Sequence, residues 1–227
     1  VALYMGNWSL ALQEAKTVIG IYPDLEDMNS SSMLPTNYKS VESIMALEQV
    51  ITSSLMKVGY VDPALLEMYR SGDSRKTKYF YASNLRIWQY RERNTSEERC
   101  TFRAAEFYLI AAEAANELDN QDEALRYINT LMEKRYTAKK YPEYSAALDG
   151  LDRDALRVEI ANERQREFAY QGHRWFDLRR TTQPELKKSY EGEEFTLEFT
   201  LEQGDERYTL RFPSEAVAAN PEIENWQ

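Results

Sequence analysis

The sequence predicts a mainly α-helical fold with long irregular loops and one small β-hairpin near the C-terminus. Apolar residues recur every three or four positions in stretches between residues 102 and 171, which is the spacing of helices that bury one face. From residue 195 the spacing changes to strict alternation, which is typical of a strand. The 227 residues are 43% hydrophobic and 29% charged, a composition typical of a soluble globular protein.

The first 23 residues match the second half of a tetratricopeptide unit, which is a pair of packed helices. The matching residues are Gly6, Trp8, Ala11, Ala15, Val18 and Pro23. A second match begins at Tyr108 and continues through Ala124 to Leu131, so it contains two full helices. The sequence therefore predicts helical hairpins of the tetratricopeptide (TPR) type, in which small residues let neighbouring helices approach.

Residues 20–100 form an irregular, loop-rich segment in the predicted fold. Within it the sequence predicts a helix over residues 41–57 and another over 63–69, the second capped by Asp62. Residues 78–91 are rich in Tyr, Phe and Trp, which favours a strand or an extended loop.

Residues 101–180 are predicted to form the helical core. The helices in this part are predicted over residues 102–118, 122–135, 151–171 and 174–180. Asp149 or Asp152 is the expected cap of the third helix, and Gly172 is expected to end it. Residues 136–150 carry three tyrosines around a proline and are predicted to be a loop.

A β-hairpin is predicted over residues 190–213. Its two strands are read from apolar residues at alternate positions, which are Phe195, Leu197, Phe199 and Leu201 in one strand and Tyr208, Leu210 and Phe212 in the other. The turn between them is expected at Gln203-Gly204-Asp205.

Two residue counts exclude several kinds of chemistry. The chain has one His and one Cys, so it cannot form an internal disulfide or a zinc cage of Cys and His ligands. His173 is expected to be a surface or helix-capping residue, and Cys100 is not expected to be a nucleophile. The net charge of −10 argues against a nucleic-acid partner, since phosphate binding needs a basic surface. We expect no cofactor and no metal.

Three stretches resemble a known family. These are RAAEFYLIAAEAAN at residues 103–116, NERQREFAYQGHRWFDLRR at 162–180 and FPSEAVAANPEIEN at 212–225. They are similar, in order, to the signature motifs of the SusD/RagB family, the outer-membrane nutrient-binding lipoproteins of Bacteroidetes. Asp73-Ser74-Arg75 lies where that family often has an Asp-x-Arg motif.

The resemblance implies a SusD-like fold, of which residues 1–227 would be a single domain and the C-terminal part. It implies that an N-terminal part with a lipid anchor lies upstream, which would place the protein on the outer surface of the outer membrane. It further implies a non-enzymatic function, in which an oligosaccharide is bound and passed to a TonB-dependent, SusC-like transporter.

A cluster of aromatic and amide side chains is the candidate glycan site. Its residues are Trp88, Tyr81, Tyr79, Tyr90 and Asn84. Sugars offer flat apolar faces rimmed by hydroxyl groups, so an aromatic ring with an amide beside it suits them. The alternative is that these rings pack beneath the loop as part of the core.

Glu163 and Glu167, one helical turn apart, are the candidate acid pair of a glycoside hydrolase. The alternative is a structural pair held ionised by arginines, for which Arg164, Arg174 and Arg179 are the expected partners. Two further functions thus stand beside glycan binding: a TPR-like module that binds a protein partner, and a hydrolase.

Overall fold

Helices dominate the computed structural model, which confirms the predicted mainly α-helical fold. The structure describes residues 1–47, 60–82, 88–90, 100–191 and 195–220. The chain divides into two compact units, Val1–Gln171 and Gly172–Gln227. The expectation of a single domain stays a prediction.

The first unit contains seven helices within the described residues. They are α1 (Trp8–Ile21), α2 (Pro63–Glu67), α3 (Ser74–Tyr79), α4 (Ala104–Glu117), α5 (Gln121–Glu133), α6 (Tyr141–Asp149) and α7 (Arg153–Glu167). A short 3-10 helix, Ala2–Met5, precedes α1. The strands of this unit are β1 (Ser43–Leu47), β2 (Phe80–Ala82), β3 (Trp88–Tyr90) and β4 (Cys100–Arg103).

Helices α4 and α5 form the predicted helical hairpin, and α1 packs on α4. Ala111, Ala112 and Ala115 on α4 are completely buried, so the small side chains sit where the neighbouring helices come closest. They belong to the largest apolar cluster of the unit, which extends to Ile160 on α7. Asn120 caps α5, its side chain accepting a hydrogen bond from the Glu123 N–H at 3.3 Å.

Two capping predictions in this unit are confirmed by side-chain hydrogen bonds. Asp62 accepts from the Ala64 N–H at 2.9 Å and begins α2, whose first residue is a proline. Asp152, one of the two expected caps, accepts from the Ala155 N–H at 2.8 Å and begins α7. The prediction that Gly172 ends this helix is wrong, because the helix ends at Glu167, and Gly172, with φ +83°, directly precedes the next helix, His173–Arg180.

The predicted helix over residues 41–57 is wrong in its described part. Residues 43–47 form β1, which pairs antiparallel with β4 and places Met45 opposite Phe102. A short apolar run fits a helix or a strand equally well by spacing alone, and here the pairing with β4 decides. The remainder of the predicted helix, residues 48–57, lies outside the described residues.

The predicted loop over residues 136–150 is also wrong, because α6 occupies most of it. Pro142 lies in the first turn of α6, where its missing N–H would have had no partner within the helix. Leu148 is buried and the ring of Tyr144 packs against Tyr136, with centroids 5.0 Å apart. A proline read as a sign of a loop therefore marks the start of a helix.

The second unit contains α8 (His173–Arg180), β5 (Leu186–Glu191), β6 (Thr196–Leu201) and α9 (Ser214–Ala219). The predicted hairpin has the wrong partner strand, because β6 pairs antiparallel with β5, which precedes it. After the turn at Gly204, Asp205 caps a 3-10 turn, Glu206–Tyr208, in place of a returning strand. Tyr208 is buried there and stacks on Trp175 at 5.1 Å, which fixes this course of the chain.

Candidate functional site

The β2–β3 ribbon holds most of the predicted glycan-binding residues. Tyr79 ends α3, Tyr81 is the middle residue of β2, and Trp88 and Tyr90 begin and end β3. The two strands are antiparallel, with Tyr81 opposite Gln89. The structure therefore brings together four of the five predicted residues, whereas Asn84 lies outside the described residues.

Two of the predicted residues, Tyr79 and Tyr90, lie in the core. They are 0% and 4% exposed, in a cluster that also contains Phe80. The rings of Tyr79 and Tyr90 meet edge to face at 6.4 Å, and Tyr90 stacks on Tyr170 at 4.8 Å. In this structure their ring faces contact other rings, so the expectation of ligand contact rests on the other two aromatics.

Tyr81 and Trp88 are partly exposed. The Tyr81 hydroxyl donates a hydrogen bond to Oε1 of Gln89, with 2.6 Å between the oxygens. Trp88 packs against the same cluster as Tyr90, and its backbone carbonyl accepts a hydrogen bond from the Val61 N–H at 2.9 Å. The ribbon is thus joined to the core on one side and presents aromatic surface to solvent.

The predicted acid pair lies in a second feature, which we call the buried ion cluster. It consists of four carboxylates and four guanidinium groups, each no more than 3% exposed at the side chain. Its members are Glu42, Asp73, Arg75, Arg103, Arg135, Glu163, Arg166 and Glu167. They come from α3, α7 and the segments around β1, β4 and the end of α5.

Glu167 lies at the centre of the buried ion cluster. Its carboxylate accepts hydrogen bonds from Arg75 at 2.9 Å, from Arg103 at 2.5 Å and from Arg135 at 2.8–3.1 Å. Glu163 accepts from Arg75 at 2.6 Å and from Arg166 at 2.7 Å. Each carboxylate therefore faces at least two guanidinium groups, which is a strong form of charged hydrogen bonding.

These arginines keep both acids ionised. Burial alone would raise the pKa of Glu167, but the charges of Arg135 and Arg103 outweigh it and hold that pKa well below its usual value. For Glu163 the charges of Arg75 and Arg166 likewise outweigh burial and lower the pKa. A general acid must carry a proton near neutral pH, so this pair is unsuited to that step.

The structural interpretation of the acid pair is thus supported, although the expectation named Arg164, Arg174 and Arg179 as partners. It did not foresee Arg75, Arg103 and Arg135, which lie 92, 64 and 32 positions before Glu167. The signal was present in the sequence, since Arg75 ends the Asp-x-Arg motif and Arg103 begins the next quoted motif. Spacing along the chain could not show that these motifs meet.

In the described ranges, no three His, Cys, Asp or Glu side chains are grouped so that they could hold a metal ion. No helix in the described part of the chain is long and apolar enough to cross a membrane. His173 is the first residue of α8 and Cys100 is the first residue of β4.

Fold and site together define a class of mainly helical protein. Its core contains a buried ion cluster, and an aromatic β-ribbon packs against that core. The sequence model described as the SusD family matches residues 28–221 of the chain. The chain therefore belongs to the SusD family.

Two curated relatives come from Formosa agariphila. SusD-like protein P25 is 40% identical over 85 residues, which are 37% of this chain and 15% of that protein. SusD-like protein P2 is 37% identical over 89 residues, which are 39% of this chain and 18% of that protein. The matched parts thus span less than a fifth of either relative.

Solved structures show the same fold. A SusD superfamily protein from Bacteroides fragilis superposes with a TM-score of 0.74 at 23% identity, over 98% of this chain and 54% of that one. A SusD-like carbohydrate binding protein from Bacteroides vulgatus superposes with a TM-score of 0.66 at 17% identity, over 98% of this chain and 56% of that one. The chain therefore spans about half the length of these structures.

Proposed function

We propose that this chain is part of a non-catalytic protein that binds oligosaccharides. The observation that carries the proposal is the β2–β3 ribbon, where the partly exposed Tyr81 and Trp88 stand on a buried aromatic core. An aromatic ring fixed by its support suits the flat face of a sugar, because little freedom is lost on binding. Membership of the SusD family and the likeness to a structure described as carbohydrate binding support the same function.

The proposed mechanism is binding and release, with no bond made or broken. The acid pair that would be needed for hydrolysis is completely buried and paired with arginines. A sugar cannot reach Glu163 or Glu167 without dismantling the buried ion cluster. This observation argues against the hydrolase alternative as far as that pair is concerned.

The place of action is proposed from the family. The protein would be anchored at the outer face of the outer membrane by a lipid on an upstream segment, and would deliver its oligosaccharide to a TonB-dependent, SusC-like transporter. Capture of such a transporter by the complete protein, from detergent-solubilised outer membranes, tests this part separately from glycan binding.

Calorimetry on the complete protein tests the central proposal. We would titrate soluble xylan, laminarin, amylopectin and galactomannan, and measure reducing ends released from the same mixtures. Binding without release is the expected result, and Tyr81→Ala or Trp88→Ala should weaken it. Tyr38→Ala is the matched control, because Tyr38 is a tyrosine 41% exposed on another loop. Release of reducing ends that scales with protein concentration would contradict the proposal.

One observation favours a second candidate, a module that binds a protein partner. A groove of about 390 Å³ lies between α1 and α4, lined by apolar side chains that include Leu3, Leu10, Phe107 and Ile110. An amphipathic helix fits such a groove. Capture of a protein partner with no binding to any polysaccharide would favour this function over the first.

A further inference from the structure

The β2–β3 ribbon has two different faces. Successive side chains of a strand point to opposite faces, and residues opposite each other in an antiparallel pair share one. The pair Phe80 and Tyr90 is buried in the core, so the neighbouring pair, Tyr81 and Gln89, belongs to the other face. Trp88 is two residues from Tyr90 and shares the core-facing side, where it packs against the aromatic cluster.

The outer pair is joined by its own hydrogen bond. Tyr81 OH donates to Gln89 Oε1 at 2.6 Å, and the Gln89 side chain is itself largely buried, at 9% exposure for the residue. A buried acceptor at this distance restrains the phenol ring, which remains partly exposed. The ring is thus held in one orientation before any ligand arrives, and this lowers the entropic cost of stacking.

We propose that Tyr81 is the residue on which a sugar ring stacks and that Gln89 is a positioning residue, which holds the Tyr81 ring through its hydroxyl. This inference rests on the proposed function and makes it specific to one face of the ribbon. Neither side chain carries a charge at neutral pH, so the pair is suited to a neutral oligosaccharide.

The inference is tested by measuring how tightly the complete protein binds the four neutral polysaccharides named above. Alginate, which is anionic, is measured in the same way for comparison. Tyr81→Ala should weaken binding at least tenfold, because the stacking ring is lost. Tyr81→Phe and Gln89→Leu should each weaken it about threefold. The double variant should be no weaker than either single one, since both remove the same hydrogen bond. Gln89→Glu keeps an acceptor at the same reach, so this variant should keep most of the affinity that Gln89→Leu loses.

Two controls separate positioning from folding. Thermal unfolding of each variant identifies any loss of affinity that follows from loss of structure. Tyr38→Phe removes the hydroxyl of a tyrosine that is 41% exposed away from the ribbon, and it should leave the affinity of the folded protein within twofold of the original.

Three results would overturn the inference. Additive losses in Tyr81→Phe and Gln89→Leu would show that Gln89 does not act through Tyr81. Unchanged affinity in Tyr81→Ala, with binding still present, would place the sugar elsewhere while leaving the proposed function intact. Alginate binding as tight as that of the neutral chains would remove the preference for uncharged sugars. Absence of binding to every polysaccharide would remove the proposed function itself.

Discussion

Glu167 accepts hydrogen bonds from three buried arginines, and this arrangement determines what the residue contributes. A carboxylate in that position balances charges that would otherwise be stranded away from water. Its loss should therefore cost far more than the loss of a surface ion pair. In the sequence, Glu163 and Glu167 are simply two glutamates one turn apart in a helix, as a catalytic pair could also be. Burial and the arginine partners are what distinguish them from a catalytic pair.

Glu167→Gln should reduce the free energy of unfolding by about 3–5 kcal/mol, because the buried guanidinium groups lose a full negative charge. Chemical denaturation followed by circular dichroism measures the change. Glu143→Gln is the matched control. Its carboxylate pairs with Lys140 at 2.8 Å but is 62% exposed, and it should cost less than about 1 kcal/mol. Equal losses in the two variants would contradict this account of the cluster.

The same residues predict how stability depends on pH. The pKa values of Glu163 and Glu167 are lower in the folded protein than the usual 4.5, so the unfolded chain binds more protons as the solution is acidified. The stability they contribute is present above about pH 4.5 and is lost as the pH falls through their folded pKa values. Melting temperatures measured from pH 6 to pH 3 should therefore stay nearly constant down to about pH 4.5 and fall increasingly below it.

The slope should be shallower in Glu167→Gln, because one of the titrating groups has been removed. Glu14→Gln replaces an exposed glutamate on α1 and serves as its control, with a slope close to that of the original protein. A Glu167→Gln protein with an unchanged slope would show that other acids govern acid unfolding.

At the scale of elements, the tight turn at Gly72 joins two parts of the chain. Gly72 has φ +83°, and its carbonyl accepts a hydrogen bond from the Thr137 N–H at 2.9 Å. A Cβ atom there would lie 2.7 Å from Cγ of Lys140 and 2.9 Å from Oγ1 of Thr137. The turn therefore depends on glycine both for its backbone conformation and for the close approach of the segment before α6.

Gly72→Ala should reduce the free energy of unfolding by about 1–3 kcal/mol through backbone strain and crowding. Gly20→Ala is its counterpart within α1, where an added Cβ meets nothing within 4 Å. That variant should be neutral or more stable by up to about 1 kcal/mol, since alanine favours a helix. Urea unfolding of both variants measures the difference, and a stable Gly72→Ala protein would refute the crowding argument.

Elements whose signals are local could be predicted from the sequence. The alanine-rich α4 and the capped helices α2, α5 and α7 follow from spacing and from residues within a few positions. Elements decided by distant contacts could not. β1 is a strand because β4 lies beside it, and the hairpin partner of β6 precedes it because Tyr208 is buried against Trp175.

The candidate site was predictable to the same extent. The aromatic composition of residues 79–90 indicated a site, but only the strand register separates the buried Tyr79 and Tyr90 from the outer Tyr81. The structural interpretation of the acid pair is supported, although none of the three arginines expected as partners holds it. Its arginine partners come from distant parts of the sequence, so no local pattern could name them.

At the scale of the whole molecule, the apolar clusters and the buried ion cluster described above lie within the first unit, Val1–Gln171. A chain that ends at Gln171 should therefore keep its helical circular dichroism and unfold cooperatively on heating. Thermal melts of the truncated and complete chains test this. A chain ending at Asp149, which lacks α7 and its two glutamates, is the control and should not fold. Absence of a cooperative transition in the longer fragment would show that the first unit depends on the second.

The buried ion cluster also has a consequence for synthesis on the ribosome. Arg75, Arg103 and Arg135 are translated before Glu163 and Glu167, with 92 positions between Arg75 and Glu167. Until α7 has emerged, these three guanidinium groups have only Glu42 and Asp73 as carboxylate partners in the cluster, and burying them without Glu163 and Glu167 would be unfavourable. The native core of the first unit can therefore close only after its last helix has left the exit tunnel, so this unit completes folding late in its own translation.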